Sequence, residues 1–296
     1  MNKLNYMMVS MRPQQWTKNL VLFAGIVFSQ RFLEPELIIL SITGAIVFCL
    51  LSGSVYILND VFDRRRDREH PSKNRRPIAS GLLSAKGSSV FALVLAAVML
   101  AVSWRINMEF FVLALVFFVL NIAYSVLLRG IVILDVITIS FSFLIRAAAG
   151  VAVLHSAAPD VELSPWLLVC TFFLSIFLAI CKRRNEICAL ESAENHRSAL
   201  RDYSVRLLDQ LVVLSATAAL LSYTIYSVWP NTVEKFGTTD LIYTIPFVLF
   251  GIMRYLFLVY KRDQGGDPSG VLIMDKAILI DVFLWFVATV LIIVRR

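Results

Sequence analysis

The chain has 296 residues, of which 58% are hydrophobic and only 17% are charged. Because soluble domains carry roughly 25% charged residues, this composition excludes an ordinary soluble protein and indicates an integral membrane protein. In a soluble protein the formal net charge of +7 would suggest nucleic acid as a partner, but here it must first be compared with the positions of the loops.

Apolar runs of about 20 residues, the length that crosses a hydrocarbon core of ~30 Å, recur along the whole chain. They predict an all-α membrane protein with nine transmembrane helices, at 17–33, 37–58, 86–104, 108–128, 131–154, 164–182, 208–229, 240–260 and 275–294. The first run is similar to a signal peptide, but no small-residue cleavage site follows it, so we interpret it as a retained span. The four cysteines lie in spans or at their ends and predict neither a metal site nor a structural disulfide.

Most of the 28 lysines and arginines lie in alternate loops, on the side that carries the N-terminus. Since positively charged loops remain in the cytoplasm, we expect the N-terminus and these loops to be cytoplasmic and the protein to lie in the cytoplasmic (inner) membrane. The bilayer is therefore a partner, and the basic charge requires no nucleic acid.

An acidic cluster follows the second predicted span, in the segment 56–81. At 100° per residue on a helix, Asn59, Asp60, Asp63 and Asp67 fall within an arc of about 100°. Such a face suits Mg²⁺, which typically takes one or two carboxylates together with substrate phosphate oxygens. The sequence therefore predicts a site for Mg²⁺ and a phosphate compound.

Seven basic residues accompany these acids and could neutralise the remaining phosphate charge. They are Arg64, Arg65, Arg66, Arg68, Lys73, Arg75 and Arg76. The alternative is that acids and arginines only pair with one another on a solvated helix end, because charged runs commonly flank membrane spans.

Two further segments supply cations that could reach the acidic face. In the N-terminal segment, Trp16 suits the membrane interface, and Arg12 and Lys18 suit headgroups or a phosphate. The loop after the acids is broken by prolines and Gly81, so it can fold back over the site as a lid or remain a solvated connector. The predicted donor-phosphate ligands are Lys18, Lys73, Arg75 and Arg76.

Charged residues inside the spans are costly and usually face a cavity or a partner. Asp135 and Arg146 lie eleven residues apart on one helix face, which predicts a cavity-lining stripe or an ion pair with another helix. The full set of cavity candidates is Tyr124, Asp135, Arg146, Glu186, Tyr203 and Arg254.

A second charged loop, about 182–207, begins at the end of the sixth span. Its first cations, Lys182, Arg183 and Arg184, are placed to bind a lipid phosphate at the membrane surface. The alternative is that they are only signals of membrane topology.

Several motifs in this order resemble one known family. The run NDVFDRRRD at 59–67 resembles the first Asp-rich motif of the UbiA superfamily of intramembrane prenyltransferases, and nine spans agree with its fold. Further motifs resemble the decaprenyl-phosphate phosphoribosyltransferase branch: RPQQWTKN at 12–19, HPSKNRRPIASG at 70–81, CKRRNE at 181–186, PFVLFGIMRY at 246–255 and GGDP at 265–268. The second Asp-rich motif of the aromatic prenyltransferases is absent, since the corresponding loop offers only Asp202 and Asp209, seven residues apart.

The resemblance implies a single membrane-embedded domain, 1–296, whose helices surround a central cavity open to the cytoplasm. It implies a Mg²⁺-dependent transfer of 5-phosphoribosyl from phosphoribosyl pyrophosphate to a polyprenyl phosphate, a step in cell envelope synthesis. It also implies that Asp60, Asp63 and Asp67 are catalytic, with Asn59, Asp63 and Asp67 as metal ligands. The alternatives are a UbiA-type aromatic prenyltransferase of quinone or haem synthesis and, more remotely, a transporter.

Overall fold

Helices form every regular element in the described part of the chain. The computed structural model describes residues 2–71, 73–189, 202–262 and 265–295. The α-helices are α1 (Lys3–Ser10), α2 (Ala24–Phe28), α3 (Pro35–Phe62), α4 (Arg64–Glu69), α5 (Ala85–Ile106), α6 (Met108–Val126), α7 (Leu134–Ala152), α8 (Pro165–Ala189), α9 (Val205–Val228), α10 (Pro230–Phe236), α11 (Ile245–Arg262), α12 (Pro268–Met274) and α13 (Lys276–Val294). Short 3₁₀ helices lie at Pro13–Phe23, Lys73–Arg75, Leu128–Gly130, Val153–Ser156 and Asp240–Thr244.

Eight helical segments in these ranges are long and apolar enough to cross a membrane. They match the second to ninth predicted spans, and their exposed large apolar side chains, such as Leu214 and Phe283, suit contact with lipid. The first predicted span, 17–33, is not among them, so the count of nine is not confirmed. It forms the end of the 3₁₀ helix Pro13–Phe23 and the five-residue α2 instead, where Thr17, Lys18 and Asn19 interrupt the apolar run.

The chain divides into two compact units, and the first comprises Met1–Leu128 with Ile145–Leu163. Here α3 packs against α5, α6 and the 3₁₀ helix Pro13–Phe23. Helix α3 begins with a proline in its first turn, where the missing N–H costs no hydrogen bond, and has 28 residues. At 1.5 Å per residue it is about 42 Å long, so its final turns can extend beyond a hydrocarbon core of ~30 Å. Those turns carry Asn59 and Asp60.

Two glycines allow close backbone contact inside this unit. A Cβ atom on Gly150 would lie 2.1 Å from the carbonyl oxygen of Leu22, and one on Gly25 would lie 2.3 Å from that of Gly150. Since both obstacles are backbone atoms, neither can rotate away. The absence of side chains therefore lets the C-terminal half of α7 lie directly against the 3₁₀ helix Pro13–Phe23 and α2.

The second unit comprises Arg129–Leu144 with Ser164–Arg296. Within it α8 packs along α9, and α11 packs on α9 and α13. Phe177, Leu208, Val212 and Leu258 are buried in its core. This apolar framework holds the charged ends of α8 and α9, where the second predicted loop begins and ends.

Capping side chains fix where several spans start. In each, the side-chain oxygen of the N-cap residue accepts a hydrogen bond from a backbone N–H in the first turn. The caps are Ser84 for α5, Asn107 for α6, Ser204 for α9 and Asp275 for α13.

Candidate active site

The acidic cluster lies where α3 ends and α4 begins. Asn59 and Asp60 occupy the last turn of α3, Asp67 lies in α4, and Asp63 separates the two helices. The helix is therefore not continuous across the motif. The Asp63 N–H still donates to the Asn59 carbonyl (2.9 Å), and the Asp67 N–H donates to the Asp63 carbonyl (2.8 Å). These bonds keep the helical spacing through the break, so the acids remain close together.

Two of these acids are buried and share one arginine. Asp60 and Asp67 are 2% and 3% exposed. Arg76 donates from a single nitrogen, Nη1, to Oδ1 of Asp60 (3.1 Å) and to Oδ2 of Asp67 (2.6 Å). The pairing of acids with arginines, left open by the sequence, therefore occurs here, but in a buried cluster and not on a solvated helix end.

A second arginine reaches Asp60 from the N-terminal segment. Arg12 donates from Nη2 to Oδ1 of Asp60, and its guanidinium lies 5.1 Å from the centre of the Tyr56 ring. Arg12 has a positive φ of 52°, an unusual backbone conformation for a non-glycine residue. The preceding Met11 is buried against Gly53 of α3, so packing fixes the backbone that presents this guanidinium.

The loop after α4 folds back and is held by its own core contacts. Ile78 and Leu83 are buried in an apolar cluster with Ile57 and Leu58 of α3. Arg68 donates from Nε to the Ala79 carbonyl (2.9 Å). The loop that carries Arg76 is therefore a packed part of the site.

The other predicted donor ligands lie on the same two segments. Lys18 is half-buried in the 3₁₀ helix Pro13–Phe23, and Lys73 is half-buried at the start of the next 3₁₀ helix. Arg75 is exposed at the end of that helix. The structure thus brings Arg76 to the acids, and the roles of the other three stay predictions.

The residues present fit a magnesium ion. Among the described residues, no group of three or more His, Cys, Asp or Glu side chains is arranged as a metal site. Mg²⁺ needs only one or two carboxylates, however, because water and phosphate oxygens complete its coordination. Asp60 and Asp67 supply two adjacent carboxylates. The side-chain oxygen of Asn59 is buried without a hydrogen-bond partner in the described part of the chain, which suits a ligand atom.

Arg146 also belongs to the first unit. It is 4% exposed, donates from Nε to Oδ1 of Asn19 (2.8 Å), and lies 4.4 Å from the centre of the Phe117 ring. Sequence reasoning did not identify Asn19, which is itself buried. A buried amide needs a polar partner. The signal in the sequence that could have identified Asn19 was its position in the segment 12–19. Tyr124 is half-buried on α6.

The second unit contains a buried polar network at the start of α7. Arg183 donates to Oδ2 of Asp135 (2.6 Å) and to Glu186 (2.5 Å). The Tyr203 hydroxyl donates to Oδ1 of Asp135 (2.9 Å) and accepts from the N–H of Ile133 (2.8 Å), a residue with φ of 67°. Burial, together with the Asp135 carboxylate, raises the pKa of Tyr203, which therefore stays a hydrogen-bond donor. Asp135 of α7 thus forms an ion pair with Arg183 of another helix, α8.

The remaining predicted residues of this unit are also paired. Arg184 donates to Oδ1 of Asp209 (2.6 Å) and lies 4.1 Å from the Tyr260 ring centre. Lys182 is half-buried on α8. Arg254 donates to Oδ2 of Asp275 (2.8 Å). Residues 190–201 of the second predicted loop lie outside the described residues.

Comparisons with known proteins agree with these features. The model of the "UbiA prenyltransferase family" matches residues 20–292. The decaprenyl-phosphate phosphoribosyltransferase of Mycolicibacterium smegmatis is 30% identical over an alignment of 307 positions, which covers 98% of this chain and 92% of that protein. The enzyme of the same name from Corynebacterium glutamicum is 30% identical over an alignment of 299 positions, which covers 96% of this chain and 85% of that protein.

The fold is shared with a solved structure. The UbiA homolog from Archaeoglobus fulgidus bound to GPP and Mg²⁺ aligns with a TM-score of 0.72, covering 97% of this chain and 99% of that one, at 16% identity. At this identity the likeness establishes the helical fold alone. The family match, together with the eight apolar helices of the described residues, makes this chain an integral membrane protein.

Proposed function

We propose, because this chain belongs to the UbiA prenyltransferase family, that it transfers a 5-phosphoribosyl group from phosphoribosyl pyrophosphate to a polyprenyl phosphate. The single observation that carries the proposal is the 30% identity, over 98% of this chain, to a named decaprenyl-phosphate phosphoribosyltransferase. One family model covers 20–292 and so includes residues of both compact units, which supports one catalytic membrane domain.

In this reaction an oxygen of the lipid phosphate attacks the anomeric carbon of the ribose. The bond from that carbon to the diphosphate breaks, and the diphosphate leaves with the bonding electrons. The lipid phosphate is already ionised, so the protein need not remove a proton from it. Positioning of the reactants and stabilisation of the leaving group therefore supply most of the rate.

The leaving group is assigned to the acidic cluster. Asn59, Asp60 and Asp67, with Asp63 between the helices, would hold Mg²⁺. When bound, Mg²⁺ supplies positive charge to the departing diphosphate. Asp60 and Asp67 lie on segments that are held in place by packing of α3, α4 and the following loop, so the backbone that carries these carboxylates need not move when the donor arrives.

Cations around the acids are assigned to the phosphates of the donor. Arg76 and Arg12 already touch the acidic cluster. Lys18, Lys73 and Arg75 lie on the same two segments and would complete the neutralisation of charge. Their positions on the two segments that carry Arg12 and Arg76 support a single donor site.

The lipid acceptor is assigned to the second charged loop. Lys182 and Arg184 lie at the end of α8, where a phosphate can stay at the surface while its chain remains in lipid. Arg183 is assigned a different role. Because it is buried and paired with Asp135 and Glu186, it holds the end of α8 that carries Lys182 and Arg184. The excess of lysine and arginine in these loops supports a cytoplasmic location for both sites at the inner membrane, with the cavity of the helical bundle open on that side.

A competition assay tests the function. The purified protein is offered radiolabelled phosphoribosyl pyrophosphate with polyprenyl phosphate in one arm, and polyprenyl diphosphate with 4-hydroxybenzoate in the other. We expect a labelled phosphoribosyl lipid in the first arm only, and loss of product when EDTA removes the metal. Product in the second arm alone would assign the chain to the aromatic prenyltransferases.

A further inference from the structure

The guanidinium of Arg76 occupies the position between the two buried carboxylates of the acidic cluster. Its Nη1 atom contacts both Asp60 (3.1 Å) and Asp67 (2.6 Å). Arg12 contacts the Asp60 oxygen that Arg76 also uses. These two arginines and two aspartates carry equal and opposite charge, so the four side chains neutralise one another.

The two carboxylates that Arg76 contacts are also the carboxylates assigned to a divalent cation. A cation bridging Asp60 and Asp67 would be brought against the positive guanidinium and repelled by it, since the buried cluster is poorly screened by water. A divalent cation that arrives alone therefore competes with Arg76. A cation that arrives with a diphosphate carries net negative charge and offers the guanidinium new phosphate acceptors.

We propose that Arg76 is an exchangeable counter-ion that makes metal binding at Asp60 and Asp67 depend on a diphosphate. In the ligand-free protein it neutralises the two carboxylates. When metal and diphosphate bind together, its side chain leaves the carboxylates and donates to diphosphate oxygens. The inference deepens the proposed function, because it explains how the same site would avoid holding metal before the donor arrives.

The local structure suits Arg76 to this exchange. Its side chain is 29% exposed, so a soluble diphosphate can reach it. Its backbone is anchored, because its carbonyl accepts from the Ser80 N–H (2.9 Å) and Ile78 is fully buried. The side chain can therefore rotate without unfolding the loop. Arg12 contacts Asp60 alone among the acids and does not bridge the pair.

Equilibrium dialysis of the detergent-purified protein tests this coupling with radiolabelled Mn²⁺ and inorganic pyrophosphate. We expect the wild-type protein to bind Mn²⁺ at least about tenfold more tightly with pyrophosphate than without it, within the range usual for coupled sites. Equal Mn²⁺ affinity in both conditions would overturn the proposal whatever the variants show.

The Arg76→Gln variant should bind Mn²⁺ alone about tenfold more tightly than the wild type and lose most of the coupling. Arg65→Gln is the matched control, because Arg65 is an exposed residue of the same short helix as Asp67 and its removal changes the net charge equally. An equal gain in Mn²⁺ affinity in Arg65→Gln, or weaker Mn²⁺ binding in Arg76→Gln than in the wild type, would contradict the proposed exchange of Arg76 between carboxylates and diphosphate.

Arg76→Lys keeps the positive charge, so it tests the proposal even if the Gln variant does not fold. It should retain weak binding of Mn²⁺ alone, and Mn²⁺ binding as tight as in Arg76→Gln would exclude a counter-ion role. These readouts involve neither ribose nor lipid. Failure of the coupling is therefore distinguishable from failure of the phosphoribosyl transfer assay.

Discussion

Arg183 donates from Nε to Oδ2 of Asp135 at 2.6 Å, and the two side chains are only 1% and 0% exposed. A pair this deeply buried has given up its contacts with water and depends on its partners. Tyr203 and Glu186 supply those further partners, so the network ties the start of α7 to the end of α8 and to the residues just before α9.

Removing one member of this pair should destabilise the protein. Asp135→Leu or Arg183→Met should each cost about 3–5 kcal/mol, because the remaining charge is buried without its counter-charge. The double variant should recover much of the loss. Thermal unfolding in detergent measures all three, and single variants as stable as the wild type would exclude a structural role for the pair.

The glycine contact predicts a second, independent loss of stability. Gly150→Ala and Gly25→Ala should both be strongly destabilising, since the new Cβ atoms would meet backbone oxygens at 2.1 and 2.3 Å. Gly87→Ala is the control, because its nearest neighbour would be a Ser84 side-chain atom at 3.8 Å. That change should be neutral or stabilise by up to about 1 kcal/mol. Equal thermal midpoints for Gly150→Ala and Gly87→Ala would contradict the close contact.

Substitutions of two asparagines should separate an effect on turnover from an effect on stability. Asn59→Ala should abolish turnover without loss of stability, because the buried Asn59 oxygen has no hydrogen-bond partner to lose within the described residues. Asn107→Ala should instead cost about 0.5–2 kcal/mol, since Asn107 caps α6. Its oxygen accepts from the Phe110 N–H (2.7 Å), and its amide donates to the Ala152 carbonyl (2.8 Å). Turnover and thermal unfolding are measured for each, and full activity in Asn59→Ala would remove it from the metal site.

Donor recognition should depend on Lys73, Arg75 and Lys18 more than lipid recognition does. Arg75→Ala is the clearest case, because its side chain is exposed and its removal should leave stability unchanged. We expect the apparent KM for phosphoribosyl pyrophosphate to rise and that for the lipid to change little. Lys86→Ala removes an exposed cation from the start of α5 and serves as control. An unchanged donor KM in all three variants would reject the assignment.

Acceptor recognition should depend on Lys182 and Arg184. A charge-assisted contact contributes roughly 1.5–3 kcal/mol, so Lys182→Ala or Arg184→Ala should raise the lipid KM about tenfold to a hundredfold. Lys261→Ala, which removes an exposed cation from the end of α11, should have little effect. If both substitutions leave lipid dependence unchanged, these cations act only as topology signals.

Local patterns were sufficient to predict which polar side chains of the candidate site share a helix face. Helical periodicity alone placed Asn59, Asp60 and Asp67 on one face, because hydrogen bonds at four-residue spacing continue across the break at Asp63. Hydrophobic length predicted the eight helical segments of the described residues that are long and apolar enough to cross a membrane. It failed at 17–33, where polar side chains such as Asn19 are satisfied by tertiary contacts that a hydropathy pattern does not include.

Pairing between distant segments was decided by the tertiary structure. The sequence put Asp135 and Arg146 on one helix face, but Asp135 pairs with Arg183, 48 residues away, and Arg146 with Asn19, 127 residues away. Arg76 was predicted to bind phosphate, yet its contact with Asp60 and Asp67 depends on the packing of Ile78 and Leu83 beneath the loop. Residue spacing determines which side chains share a helix face, because helix geometry is local. Which charges neutralise one another depends on how folded segments pack, since a buried charge takes whichever partner the packing brings within reach.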